Sequence, residues 1–92
     1  MITENIKQLQ HCLDDYLERH GKHVIDEIEA NSELSRQGLM EDDPSQPGRP
    51  LRELLSHLRD SNLLPRNIRQ SFGSWFIRNS RLFQVRQQVF LF

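Results

Sequence analysis

The segment PLRELLSHLRDSNLLPRNIRQSFGSWFIRNS, residues 50–80, decides the predicted fold. Pro50 suits the first turn of a helix, because its fixed φ is helical and its missing N–H would have no partner there. Four leucines then fall at positions i, i+3, i+4 and i+7, the spacing of one buried helix face: Leu51, Leu54, Leu55 and Leu58. This pattern predicts a helix over residues 50–60.

A second helix is predicted over residues 66–80, after the short apolar turn Leu63-Leu64-Pro65. Its apolar side chains would share one side of the helix: Ile68, Phe72, Trp75 and Phe76. Gly73 costs such a helix about 1 kcal/mol relative to alanine, which suggests a close approach to a neighbouring element.

The last eleven residues no longer follow the helical spacing of apolar residues. Residues 82–86 and 88–92 are rich in β-branched and aromatic side chains, which favour strands. Two such segments joined by a tight turn near Arg86-Gln87 predict a terminal β-hairpin.

The first half of the chain predicts two further helices. An amphipathic helix would start at the N-cap Thr3 and stop at Gly21, and another would cover residues 22–36. Residues 40–49, MEDDPSQPGR, hold two prolines, a glycine and three acids, which is typical of a loop.

These elements predict a mainly α (α+β) domain of four helices followed by a C-terminal β-hairpin. A chain of 92 residues is one domain by length. We divide it into an acidic helical region over residues 1–37, a loop over 38–49 and a basic region over 50–92.

The basic region resembles winged helix-turn-helix domains over about residues 48–92. The resemblance rests on the segment Leu51-Arg52-Glu53-Leu54-Leu55, the turn Leu63-Leu64-Pro65, Ile68 and Phe72, and the apolar end of the chain. It implies that helix 66–80 is a recognition helix that enters a major groove, with the terminal hairpin as the wing.

The resemblance also implies a set of nucleic-acid contacts. Side chains away from the apolar stripe would read base edges: Arg66, Asn67, Arg69, Gln70 and Ser74. Arg78 and Arg81 would bind phosphates, and Arg86 and Gln87 at the hairpin tip would touch the backbone or a minor groove.

Charge is divided unevenly along the chain. Residues 1–46 hold four basic and eleven acidic side chains, whereas residues 47–92 hold eight arginines and two acids. Such asymmetry indicates a polyanionic partner, and arginine is the residue suited to phosphate. Alternatively, the acidic half packs against the basic half and the charges compensate within the domain.

Catalytic and metal chemistry are not indicated. The four histidines and the single cysteine, Cys12, have no metal-ligand spacing, and no phosphate-binding glycine loop or nucleophilic triad is present. We therefore expect no enzyme activity, no cofactor and no metal. A lone thiol without a signal sequence or an apolar span predicts a cytoplasmic protein, nuclear in a eukaryote, with no membrane partner.

The sequence thus favours a nucleic-acid-binding domain, with DNA preferred over RNA because the predicted helix suits a major groove. A protein–protein interaction or homodimerisation module is the alternative, through the first helix or the edge Phe90-Leu91-Phe92. A third interpretation is an accessory domain of a larger assembly, which would cover this apolar end.

Overall fold

The computed structural model describes the backbone of residues 2–82 and the side chains of residues 6–82. Helices and strands follow one another along the chain in this order: α1 (Ile2–His20), β1 (Val24–Asp26), α2 (Glu27–Arg36), α3 (Arg49–Asp60), β2 (Ile68–Ser71) and β3 (Ser74–Arg78). The strands form an antiparallel sheet in the order β1-β3-β2. The domain is therefore α+β, as predicted at this coarse level.

Helix α1 has the predicted amphipathic character, with Leu9, Leu13 and Leu17 buried along one face. It begins at Ile2, so Thr3 lies inside the first turn and not at the N-cap, a difference within the usual uncertainty of helix ends. Gly21 ends the helix with φ +61°, and the N–H of Lys22 donates to the Leu17 carbonyl. This left-handed glycine termination is the predicted one.

The predicted helix over residues 22–36 starts five residues too early. Val24 and Ile25 are β-branched and pair with β3 as strand β1, with Ile25 opposite Ile77. Asp26 then caps α2, because its carboxylate accepts the Glu29 N–H at 2.9 Å. The cap fixes the boundary between strand and helix.

Helix α3 and the loop before it match the prediction closely. Helix α3 covers Arg49–Asp60 and buries Leu51, Leu55 and Leu58, while the residues between α2 and α3 form turns and irregular backbone.

The predicted helix over residues 66–80 is wrong, because this segment forms the hairpin of β2 and β3. The side chains of β3 alternate with period two: Trp75 and Ile77 are buried, while Phe76 and Arg78 are exposed. Phe72 and Gly73 both have positive φ, which a helix interior excludes. The hairpin is completed by β1, which covers the other edge of β3.

The C-terminal part of the prediction falls largely outside the described residues. Residues 80–82 are helical, so Leu82 does not begin a strand. The rest of the predicted terminal hairpin, residues 83–92, lies beyond the described part. The sheet of the described domain is therefore built from 24–26 and 68–78.

The core lies between one face of this sheet and the helices. Its largest fully buried apolar side chains come from four elements: Leu17, Leu34, Leu55, Leu58, Trp75 and Ile77. Among the helices of residues 2–82, none has the length and hydropathy needed to cross a membrane.

Candidate nucleic-acid interface

The hairpin of β2 and β3 presents one face to the core and one to solvent. Ile68 pairs with Ile77 on the inner face, and Arg69 pairs with Phe76 on the outer face. Because successive side chains of a strand point to opposite faces, Arg78 joins Arg69 and Phe76 on the solvent side. The outer face thus combines cationic and aromatic side chains.

The tip of the hairpin is a two-residue turn formed by Phe72 and Gly73. Their φ angles are +51° and +82°, and Ser71 and Ser74 pair directly across the turn. Positive φ at both central residues is the signature of a type I′ turn, which matches the twist of the strands it joins. The Phe72 side chain has a relative exposure of 104% and projects into solvent.

Three arginines of the hairpin region are exposed and have no carboxylate partner in the part of the chain that the structure describes. They are Arg66 in the turn before β2, Arg69 on β2 and Arg78 on β3. Within residues 6–82, no carboxylate oxygen lies within 4.0 Å of these guanidinium groups. Among the described residues, their charge is therefore not paired with a carboxylate.

The other described arginines of the second half do have carboxylate partners. Two of these pairs join the acidic half to the basic half, because Arg49 lies 3.8 Å from Asp43 and Arg52 lies 3.9 Å from the buried Glu27. Within the basic half, Arg49 lies 2.9 Å from Glu53 and Arg59 lies 3.1 Å from Asp60. Charge compensation between the halves is thus real but partial, and it leaves the hairpin cationic.

Arg81, for which a phosphate contact is predicted, lies beside carboxylates of α1. Its guanidinium lies 2.9 Å from Glu18 and 3.0 Å from Asp15 on α1. Hydrogen bonds to Glu18 and Asp15 raise the pKa of Arg81, and the bond from Arg81 lowers the pKa of Asp15. The neighbouring Ser80 donates its backbone N–H to the buried Asp14 at 2.8 Å, which fixes residues 80–82 to α1.

Asn67 and Gln70 are also engaged within the domain. Asn67 is buried, and its amide donates to the Gln10 side chain at 2.7 Å and to the Arg78 carbonyl at 2.9 Å. Gln70 accepts a hydrogen bond of 2.7 Å from Arg59. Asn67 therefore does not present its amide to solvent.

Of the remaining predicted contacts, Ser74 is half-buried at the start of β3, and Arg86 and Gln87 lie outside the described residues. Among the described residues of the predicted set, Arg66, Arg69 and Arg78 are the arginines that are exposed and have no carboxylate partner. Sequence reasoning missed the role of Phe72 as a turn residue. The signal was the Phe-Gly pair followed by the alternating segment Ser74–Arg78.

A separate groove runs between α1 and the residues that follow α2. It has a volume of about 650 Å³ and is lined in part by His11, Cys12 and Leu39. Burial raises the pKa of the Cys12 thiol, so the thiol form is favoured over the nucleophilic thiolate. Within the described residues, no group of three histidine, cysteine or carboxylate side chains is arranged to hold a metal ion.

Comparison of the chain with protein-family models, with curated proteins and with solved structures found no match.

Proposed function

We propose that this chain is a nucleic-acid-binding domain of the winged-helix type that contacts its ligand through the β2–β3 hairpin. The sequence resemblance rests on an order of helix, connection, helix and hairpin. The same order is present one element earlier in the chain than the sequence predicts, as α2, α3, β2 and β3. Helix α3 then takes the place expected for helix 66–80, and the β2–β3 hairpin takes the place of the wing.

The observation that carries the proposal is the cluster of uncompensated arginines on this hairpin. A guanidinium held by a carboxylate has much of its charge neutralised, so it gains little from a phosphate. Arg66, Arg69 and Arg78 have no such partner among the described residues, and each remains able to displace a counterion from a phosphate. Together with the exposed rings of Phe72 and Phe76, they combine the two contact types that nucleic-acid surfaces use.

The hairpin is favoured over α3 as the main contact because α3 carries exposed acids. The side chains of Glu53 and Asp60 are 66% and 69% exposed, and each is beside an arginine of the same helix. Carboxylates at this exposure repel phosphate oxygens. We therefore assign α3 a supporting position and the hairpin the larger share of the binding energy.

The test is fluorescence anisotropy of a labelled random-sequence DNA duplex over a salt series, with a matched RNA duplex in parallel. We expect the logarithm of the association constant to fall linearly with the logarithm of salt concentration. Removal of one phosphate-binding guanidinium, in Arg69→Ala or in Arg78→Ala, should reduce the steepness of that slope by about 0.9.

The matched control removes the same charge from an ion-paired arginine, in Arg36→Ala. Arg36, in the last turn of α2, lies 2.9 Å from Glu33 and is not part of the hairpin. The Arg36→Ala variant should leave the salt dependence of the association constant close to that of the wild type. Absence of binding at low salt, or an equal loss of affinity in the control and in the hairpin variants, would contradict the proposal.

A second candidate, a protein-interaction surface, is favoured by one observation. Val24 on β1 and Phe76 on β3 leave 43% and 37% of their surface exposed on the outer face of the sheet. Sedimentation equilibrium of the wild type and of Val24→Ser tests self-association through this face. A dimer that Val24→Ser dissociates would support it, and a monomer at all concentrations would contradict homodimerisation.

A further inference from the structure

Phe72 is an unusual residue for the position that it occupies. The first central position of a type I′ turn requires positive φ, and asparagine, aspartate and glycine are the residues that adopt it readily. A bulky aromatic side chain at φ +51° is a conformational outlier and carries a local cost. The turn would be more stable with asparagine there.

Packing against the described residues does not offset this conformational cost. The ring is fully exposed, so its burial contributes nothing to the core. At Gly73, the other residue of the tip, none of the described atoms lies within 4 Å of the position that a Cβ would occupy. With respect to the described residues, the tip therefore extends into solvent together with the exposed Phe72 ring.

We infer that Phe72 is a base-stacking residue, which binds the exposed face of a base at a junction between duplex and single strand. This inference rests on the proposed nucleic-acid function and deepens it. Stacking on an aromatic ring needs a base with a free face. A continuous duplex offers that face only at its ends, whereas a junction offers it next to a charged single strand.

The surrounding charges favour a nucleic acid as the partner of the ring. Arg69 lies three residues before Phe72, which is about 10 Å along an extended strand. Stacked nucleotides rise by about 3.4 Å each, so this span matches roughly three nucleotides. A strand whose base stacks on Phe72 would thus place a phosphate within reach of Arg69, and a neutral apolar pocket of a protein would not use that charge.

The experiment compares two fluorescent probes, a blunt DNA duplex and the same duplex extended by unpaired single-stranded arms. Phe72→Asn replaces the ring by the side chain that the turn prefers, and Phe72→Tyr keeps a ring. We expect the wild type and Phe72→Tyr to bind the forked probe more tightly than the blunt one. Phe72→Asn should bind the forked probe about tenfold more weakly and lose the preference.

Thermal unfolding separates this role from a structural one. Because asparagine relieves the strain at positive φ, we expect Phe72→Asn to raise the Tm by about 4–8 °C while it weakens binding. Unchanged affinity of Phe72→Asn for the forked probe would overturn the stacking role and leave the arginine contacts intact. Failure of the wild type to bind either probe would instead contradict the proposed function itself.

Discussion

At the scale of single residues, Asn31 supplies the hydrogen bonds that hold α2 to the start of α3. It is fully buried, its Oδ1 accepts the Leu51 N–H at 2.9 Å, and its Nδ2 donates to the Glu41 carbonyl at 3.2 Å. The Leu51 N–H lies in the first turn of α3, where no carbonyl of the same helix can accept it. Gly48, the N-cap residue, has no side chain to serve instead.

We expect Asn31→Ala to lower the free energy of unfolding by about 2–3 kcal/mol, because it leaves a buried N–H without an acceptor and opens space in the core. Urea unfolding followed by circular dichroism measures this loss. Ser32→Ala, at the exposed neighbouring position, should change stability by less than about 0.5 kcal/mol. Equal stability of the two variants would contradict the capping role of Asn31.

At the scale of elements, the junction between α2 and α3 depends on Gly48. Its φ is +87°, and a Cβ there would lie 3.0 Å from Ile28 Cγ1 and 3.1 Å from Ile28 Cα. Gly48→Ala should therefore lower the free energy of unfolding by about 3 kcal/mol. The loss comes from the left-handed backbone and from a close contact with Ile28 that the α2 backbone cannot avoid.

Gly38→Ala is the matched control for that prediction. Gly38 also has positive φ, +75°, but its Cβ would meet no described atom within 4 Å. Gly38→Ala should lower the free energy of unfolding by only about 1 kcal/mol, which is the backbone contribution alone. The difference between the two urea midpoints isolates the contact with Ile28, and equal midpoints would contradict it.

Elements also differ in how far the sequence reveals them. Helix α3 was predictable because its four leucines fit only the helical period. In the hairpin, Ile68, Phe72 and Trp75 fit a helical stripe, while Trp75 and Ile77 fit a strand equally well. Distant partners decide between the two, since Ile25 pairs with Ile77 and the backbone N–H of Trp75 donates to Glu27 Oε1 at 3.1 Å. A local pattern does not contain these contacts.

The candidate site, like the fold, was predictable from the sequence only in part. The arginine-rich half could be predicted from the sequence, but the sequence does not show which arginines lack a carboxylate partner among the described residues. Arg81 and Arg78 are equivalent in the sequence, yet the fold brings Arg81 onto three carboxylates of α1 and leaves Arg78 on an open sheet face. Tertiary placement, which sequence spacing does not encode, selects between them.

At the scale of the whole molecule, ion pairs between elements make stability depend on pH. The buried carboxylate of Glu33 on α2 binds Arg36 and also Arg19 of α1, at 2.9 and 3.3 Å. The hydrogen bond from Arg36, chiefly, lowers the pKa of Glu33 below its ordinary value of 4.5. The unfolded chain therefore binds a proton at a higher pH than the folded one does.

Because the pKa of Glu33 is lower in the folded state, its stabilisation of the fold is present above about pH 4.5 and is lost as the pH falls through the folded pKa. We expect the urea midpoint of the wild type to decrease steadily below about pH 5. Glu33→Gln should be less stable at neutral pH and should flatten this decrease, whereas Glu53→Gln, at an exposed carboxylate, should follow the wild-type profile. A wild-type midpoint that is constant down to pH 3 would contradict the prediction.

The claim that the β2–β3 hairpin binds nucleic acid is tested most directly by a ¹H–¹⁵N NMR titration of the labelled protein with a short DNA duplex at low salt. The proposal predicts that the largest amide shift changes fall on residues 66–78, around the free arginines and Phe72. The amides of α1 over residues 6–20 should move little, and the hairpin changes should reverse when salt is added. Changes confined to α1, or the absence of any change at low salt, would contradict it.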